Sequence, residues 1–129
     1  MTGIDGASVT HRRYVPHGHA HYGGALVDGA YVLALCGDAA TELCIRTDGD
    51  EGLFAGYDEV AFLAPVRAGD VVEVTATVDR VGRRSRGVAF AAVVVCRSEP
   101  ERGPSAATVL DPALEVVRAH GTVVVPAAG

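Results

Sequence analysis

The chain has 129 residues, enough for one compact domain with a real core, and 49% of them are hydrophobic, mostly Ala, Val and Leu. A formal net charge of −5 argues against a nucleic-acid binder, and no apolar run is both long enough and free enough of charge to span a membrane. The N-terminus lacks a leader pattern, and Cys36, Cys44 and Cys96 are odd in number without Cys-x-x-Cys spacing, so they read as reduced thiols of a cytoplasmic protein.

Residues 1–9 are polar and make a loose start. Thr10–Val15 reads as a short strand ended by Pro16, and His17–Gly24 as a loop broken by Gly18, Gly23 and Gly24. Ala25–Cys44 predicts a helix of about five turns, apolar nearly all round and therefore wrapped by other structure. Gly29 and Gly37 lie eight apart, on nearly one face. That choice costs about 1 kcal/mol each in helix propensity and predicts close approach of another element. A turn-rich loop, Thr47–Gly52, follows. Tyr57–Ala64 reads as a strand stopped by Pro65. In Asp70–Val81 the valines and Ala76 alternate with Glu73, Thr75, Thr77 and Asp79, as in a strand with one wet face. After a turn at Gly82–Arg84, Ser85–Arg97 is a strand with apolar residues on both faces, predicting cover on both. Ser98–Asp111 reads as a polar loop and Glu115–Val125 as the last strand. One helix against one antiparallel sheet is an α+β arrangement, here expected as a single domain over residues 1–129.

Three carboxylates interrupt the apolar helix. Asp28, Asp38 and Glu42 fall within an arc of about 80°, and Asp38 and Glu42, four apart, are neighbours on its surface. Two acids in a partly dry site cannot both ionise cheaply, so such a pair would share a proton and act as base and acid. The same stripe would equally serve as an exposed face pairing with Arg46 or another subunit. His17, His19 and His21 alternate, which fits either a metal site or a loop-packing run; no cysteine lies near to complete a ligand set, and no metal is assigned. The Arg80–Arg86 segment is densely basic and suits a phosphate-bearing small molecule, or a solvated turn that blunts a strand edge.

Several stretches carry a family resemblance. Phe62–Asp70, followed by an alternating strand and Val81-Gly82-Arg83, is similar to the strand-turn-strand pattern of the hot-dog superfamily, an antiparallel sheet wrapped around one long central helix. His21-Tyr22-Gly23-Gly24, Leu26–Ala30, Leu33-Ala34-Leu35, Gly37-Asp38, Ala40–Leu43, Asp48–Phe54, Gly121-Thr122 and Val124-Val125-Pro126 together resemble the β-aminoacyl-CoA ammonia lyases of that superfamily, the 3-aminobutyryl-CoA and β-alanyl-CoA ammonia lyases among them. These stretches cover most of residues 12–126.

The resemblance implies a carbon–nitrogen lyase that removes ammonia from a short β-aminoacyl-CoA to give an enoyl-CoA, or runs in reverse. No organic cofactor is expected, because the thioester itself acidifies the α-carbon. His21 is implied as a site residue, its near-neutral pKa suited to proton transfer. Gly23 and Gly24, beside the expected helix N-terminus, are implied to let the thioester oxygen approach backbone N–H groups, with Tyr22 orienting the substrate. Asp28, Asp38 and Glu42 are the proton-transfer candidates, and Glu59, at a strand start, is a further one reaching a neighbouring subunit's site. Arg83, Arg84 and Arg86 are implied to hold phosphates of CoA or of a carrier protein's phosphopantetheine. A homodimer or larger assembly of dimers is expected. In related thioesterases a catalytic Asp sits in the comparable helix; counted from Gly29, that position falls nearer Cys36 than Asp38, so the hydrolytic acid is not carried over. Acyl-CoA or acyl-carrier-protein thioesterase, and a non-catalytic acyl-CoA binding module, remain the rival readings.

Overall fold

The structure is a computed structural model that describes residues 3–126. Seven strands and one long helix follow one another as β1 (Ser8–Tyr14), β2 (Leu26–Val27), α1 (Gly29–Asp48), β3 (Leu53–Phe62), β4 (Val66–Arg67), β5 (Val71–Val81), β6 (Ser85–Ser98) and β7 (Ala107–Val124). Five of them form an antiparallel sheet in the order β1-β5-β6-β7-β3, and β2 pairs with β4 as a separate two-stranded ribbon.

The period-2 pattern of β5 dictates its placement. Val72, Val74, Ala76 and Val78 are buried toward the helix, while Glu73, Thr75 and Thr77 face outward. Val88, Phe90, Ala92 and Val94 of β6, and Val117, Ala119 and Val123 of β7, continue that inner face. On α1 the buried residues are Val32, Leu35, Cys36, Ala39, Ala40, Leu43 and Cys44, a stripe at helical spacing. The opposite side of the helix, with Ala34, Asp38, Thr41 and Ile45, is exposed, so α1 is covered on one side and not wrapped all round. Likewise, the outward residues of β6 are not covered within the chain: Ala91 is exposed and Ala89 and Val93 are half-buried.

The helix starts and stops later than its apolar pattern predicts. Leu26 and Val27 are drawn into the ribbon with Val66 and Arg67, so Ala25 closes a 3-10 turn, Leu26–Val27 is extended and Asp28 becomes the N-cap. Its Oδ2 accepts the Tyr31 N–H at 3.1 Å, satisfying one of the donors a helix start leaves unpaired. At the other end Gly49 takes the left-handed conformation, φ 68°, and its N–H closes on the Ile45 carbonyl. Of the two helical glycines, only Gly29 meets a close neighbour: a Cβ there would collide with the Phe62 ring, whereas Gly37 faces open space.

Strands β3 and β7 both extend beyond their sequence-predicted limits. Leu53 and Phe54 pair with Val124 and Val123, and Ala107, Thr108 and Val109 pair with Ser98, Arg97 and Cys96, so the polar loop shortens to 99–106. Tyr57 ties β3 to the helix by donating its hydroxyl to the Leu33 carbonyl at 2.9 Å. The turn before β5 is locked by Asp70, fully buried, which accepts the Arg67 N–H at 2.8 Å and both Nε and Nη2 of Arg97 at 3.0 and 2.9 Å. No helix among the described residues is long and apolar enough to cross a membrane. All three cysteines are free, and burial pushes the Cys36 thiol up to about 12.

Candidate active site

The N-terminal end of α1 collects the chemistry. Asp28, set by the cap, uses its second oxygen to accept from His21: Nε2 and Oδ1 lie 2.8 Å apart. The hydrogen bond from His21 holds the Asp28 carboxyl below the usual aspartate range, with the Asp28 and Tyr31 backbone contacts adding to the effect against a smaller desolvation. An ionised carboxylate only accepts, so Nε2 carries the proton and the neutral ring keeps its lone pair on Nδ1. Tyr22 packs edge-on against His21, centroids 4.6 Å apart. A short-range Asp–His pair of this kind fixes the orientation of the ring and its tautomer.

Beside the pair lies an apolar cleft of about 580 Å³, lined among others by Tyr22, Val27, Asp28, Gly29, Phe62 and Val66. Gly29 and Ala30 border it as the first two helical residues. Their N–H groups have no intrahelical acceptor and sit at the positive end of the helix dipole. The cleft therefore offers an apolar wall and two backbone donors, and Asp28 on its lining carries the imidazole of His21 at its edge.

The other candidates are distributed elsewhere. Gly23 and Gly24 form a 3-10 turn that ends before β2, so they do not head the helix; the donors at its start are those of Gly29 and Ala30. Asp38 is ten residues along α1 from Asp28, about 15 Å by helical rise, and borders a groove with His11, Arg12 and Arg13 of β1. Glu42 makes no proton-sharing pair with Asp38. Its oxygens take Arg46 Nε and His11 Nε2, each at 2.7 Å, and these contacts, Arg46 first, hold its carboxyl below the usual range. The expected triad of acids is thus one capping carboxylate, one exposed carboxylate and one ion-paired carboxylate.

Glu59 lies on the outer face of the sheet, opposite the helix, paired in register with His120. There His120 stands between two carboxylates, Nδ1 at 2.6 Å from Asp58 and Nε2 at 3.0 Å from Asp79. With carboxylates facing both nitrogens, the ring donates to both only when doubly protonated, and the bonds to Asp79 and then Asp58 raise its pKa. Alternation also placed His17, His19 and His21 on one side of an extended chain, but His17–His19 is a 3-10 turn; His19 stacks on Tyr31 and His21 turns to Asp28. Among the described residues no group of three or more His, Cys, Asp or Glu side chains could hold a metal ion.

The arginine cluster sits at the far end of the molecule. Arg86 is buried and forks onto Asp48, with Nη2 at 2.6 Å and Nε at 3.1 Å, while its Nη1 donates to the Gly82 and Ser85 carbonyls. That guanidinium is committed to joining the helix C-terminus to the β5–β6 turn and is not offered to a phosphate. Arg83 and Arg84 are exposed on the same turn, a helix length, about 30 Å, from Asp28. Sequence reasoning overlooked two residues near the site, Phe62 and Arg67. The first follows from Gly29 needing a close neighbour; the second stands one residue after Val66 and so points to the other side of its strand.

The chain is similar to known proteins in sequence and in fold. A sequence model described as the thioesterase superfamily matches residues 17–91. The chain is 52% identical over 107 residues to a 3-aminobutyryl-CoA ammonia lyase of Acetoanaerobium sticklandii, covering 83% of this chain and 85% of that protein. It is similar in structure to a β-alanyl-CoA:ammonia lyase from Clostridium propionicum, with TM-score 0.88, 33% identity and coverage of 95% of this chain and 87% of that one. A hexameric hotdog fold thioesterase of Campylobacter jejuni shares the fold at TM-score 0.74 and 17% identity, over 90% of this chain and 80% of its own.

Proposed function

The chain belongs to the thioesterase superfamily, with the hot-dog fold, and from that premise we propose that it is a carbon–nitrogen lyase. It removes ammonia from a short β-aminoacyl-CoA such as 3-aminobutyryl-CoA, giving the enoyl-CoA, or adds ammonia in reverse. The single observation that carries the site assignment is the His21–Asp28 pair set at the lip of a cleft that also contains the free start of α1.

The residues divide the work as follows. The acyl chain lies along Val27, Phe62 and Val66, with the thioester oxygen toward the Gly29 and Ala30 N–H groups. Nδ1 of His21 takes the α-proton. The electron pair left on the α-carbon delocalises onto the thioester oxygen, where aimed backbone donors stabilise the charge by about 3–4 kcal/mol. Collapse of that enolate expels the β-ammonium group as ammonia: the C–N pair leaves with nitrogen, and the α,β double bond forms. The proton on His21 then passes to ammonia or water. Asp28 stabilises the imidazolium and keeps the ring oriented throughout.

Assembly is part of the reading. β3 is an outer strand of the sheet, and it carries exposed Leu53, Val60 and Phe62. An unpaired strand edge with apolar side chains favours association with a second copy. Whether the acyl group arrives on CoA or on a carrier protein is the same question for this cleft, since both present a pantetheine thioester.

Incubation with crotonyl-CoA and ammonium tests the reading. Loss of the enoyl-thioester absorbance without release of free thiol is expected. Release of thiol at the rate of substrate loss would make the protein a hydrolase and overturn it.

A further inference from the structure

The β2–β4 ribbon separates two cavities. Because strand side chains alternate, Val27 and Val66 point into the active-site cleft while their neighbours Leu26 and Arg67 border a second, larger groove of about 810 Å³. Pro65 borders both and forms the common lip. The second groove runs between the loop around His17 and the 99–106 loop.

Its charge is one-sided. The Arg67 side chain is exposed, and its guanidinium has no salt-bridge partner among the described residues; Asp70 engages only its backbone, accepting from the N–H and donating its own N–H to the carbonyl. Arg97 also borders the groove, but Asp70 already neutralises it. His17 and Ser98 add polar groups, and Glu101 is the one acid on the lining. An unpaired guanidinium in a concave site next to an acyl-sized cleft matches a ligand with an apolar thioester end and a phosphorylated end.

Resting on the lyase reading, we propose that this groove is the phosphate subsite of the thioester substrate. The pantetheine arm crosses the Pro65 lip and Arg67 grips the phosphate end. The role that the resemblance gave to Arg83, Arg84 and Arg86 passes, within one chain, to Arg67: Arg86 is committed to Asp48, and the other two lie at the opposite end of α1.

Calorimetric titration with free CoA tests this without requiring turnover. Arg67→Ala weakens CoA binding about tenfold or more, in line with loss of a charge-assisted pair, and Arg67→Lys keeps part of it. The preference for CoA over pantetheine, which lacks phosphate, shrinks by the same factor. The fold is preserved because the turn is held by the backbone N–H of residue 67, which alanine retains; a melting curve checks this. If the preference for phosphopantetheine over pantetheine also shrinks, the gripped phosphate is the one next to pantetheine; if only CoA is affected, it is on the nucleotide. No CoA binding by the unsubstituted protein, or equal binding by Arg67→Ala, would overturn the subsite. Wild-type turnover of crotonyl-CoA with ammonium separates that failure from failure of the lyase reading.

Discussion

At residue scale, the proposed mechanism assigns to Asp28 alone the work for which the sequence pattern offered three acids. One of its oxygens caps the helix and the other orients His21, so a single side chain sets both the position of the backbone donors and the tautomer of the imidazole. Asp28→Asn is expected to keep part of the cap, since asparagine also caps, but to lose the charge that stabilises the imidazolium. Activity should fall by at least about 100-fold with little loss of stability, measured as kcat/KM beside a melting curve. Asp38 supplies the contrast. It is exposed and remote from the cleft, so Asp38→Asn should change kcat/KM by less than about tenfold, below what an acid–base group contributes. A larger loss would return Asp38 to the catalytic set.

At the scale of elements, the arginine cluster is a structural joint. The Arg86–Asp48 pair is nearly buried, with side chains 10% and 15% exposed, and ties the C-terminal turn of α1 to β6. Arg86→Ala strands the Asp48 carboxylate and should lower stability by roughly 3–5 kcal/mol, whereas Arg84→Ala, on an exposed turn, should fall within about 0.5 kcal/mol; denaturant melts distinguish them. Neither outcome was visible from residue type and spacing, because a buried fork and a solvated turn have the same local sequence. The sheet was more legible. Val72, Val74, Ala76 and Val78 alternate so cleanly that β5 and its wet face follow directly. The helix start was misplaced because Ala25, Leu26 and Val27 are apolar and carry no breaker, and only tertiary pairing with Val66 and Arg67 makes Leu26 and Val27 a strand. Asp28 ahead of Gly29 and Ala30 was the one local cue, a preferred N-cap residue inside an apolar run. The cleft combines side chains from α1, β3 and the ribbon, so no sequence window contains it.

Across the whole molecule, His120 staples three strands on the outer sheet face, joining β7 to Asp58 of β3 and to Asp79 of β5. Its pKa is raised in the fold, by Asp79 and then Asp58, so its contribution is complete below the ordinary histidine range near ~6.5 and is lost as pH rises through the raised value. Asp58 is lowered, chiefly by the bond from His120, so its contribution is present above the ordinary aspartate range and is lost as pH falls through the lowered value. Stability should therefore be greatest on the acid side of neutrality, and His120→Gln should flatten its decline at higher pH in denaturant titrations. Val60→Lys on the exposed edge strand should reduce the assembled mass in sedimentation, since a charged edge opposes strand-to-strand association. The helix N-terminus with its oriented imidazole is the feature on which the proposed lyase activity rests. The most direct test is kcat/KM of His21→Ala for ammonia addition to crotonyl-CoA. A fall of about 10²–10⁴ with an unchanged melting curve is predicted, and a rate equal to that of the unsubstituted protein would contradict the account.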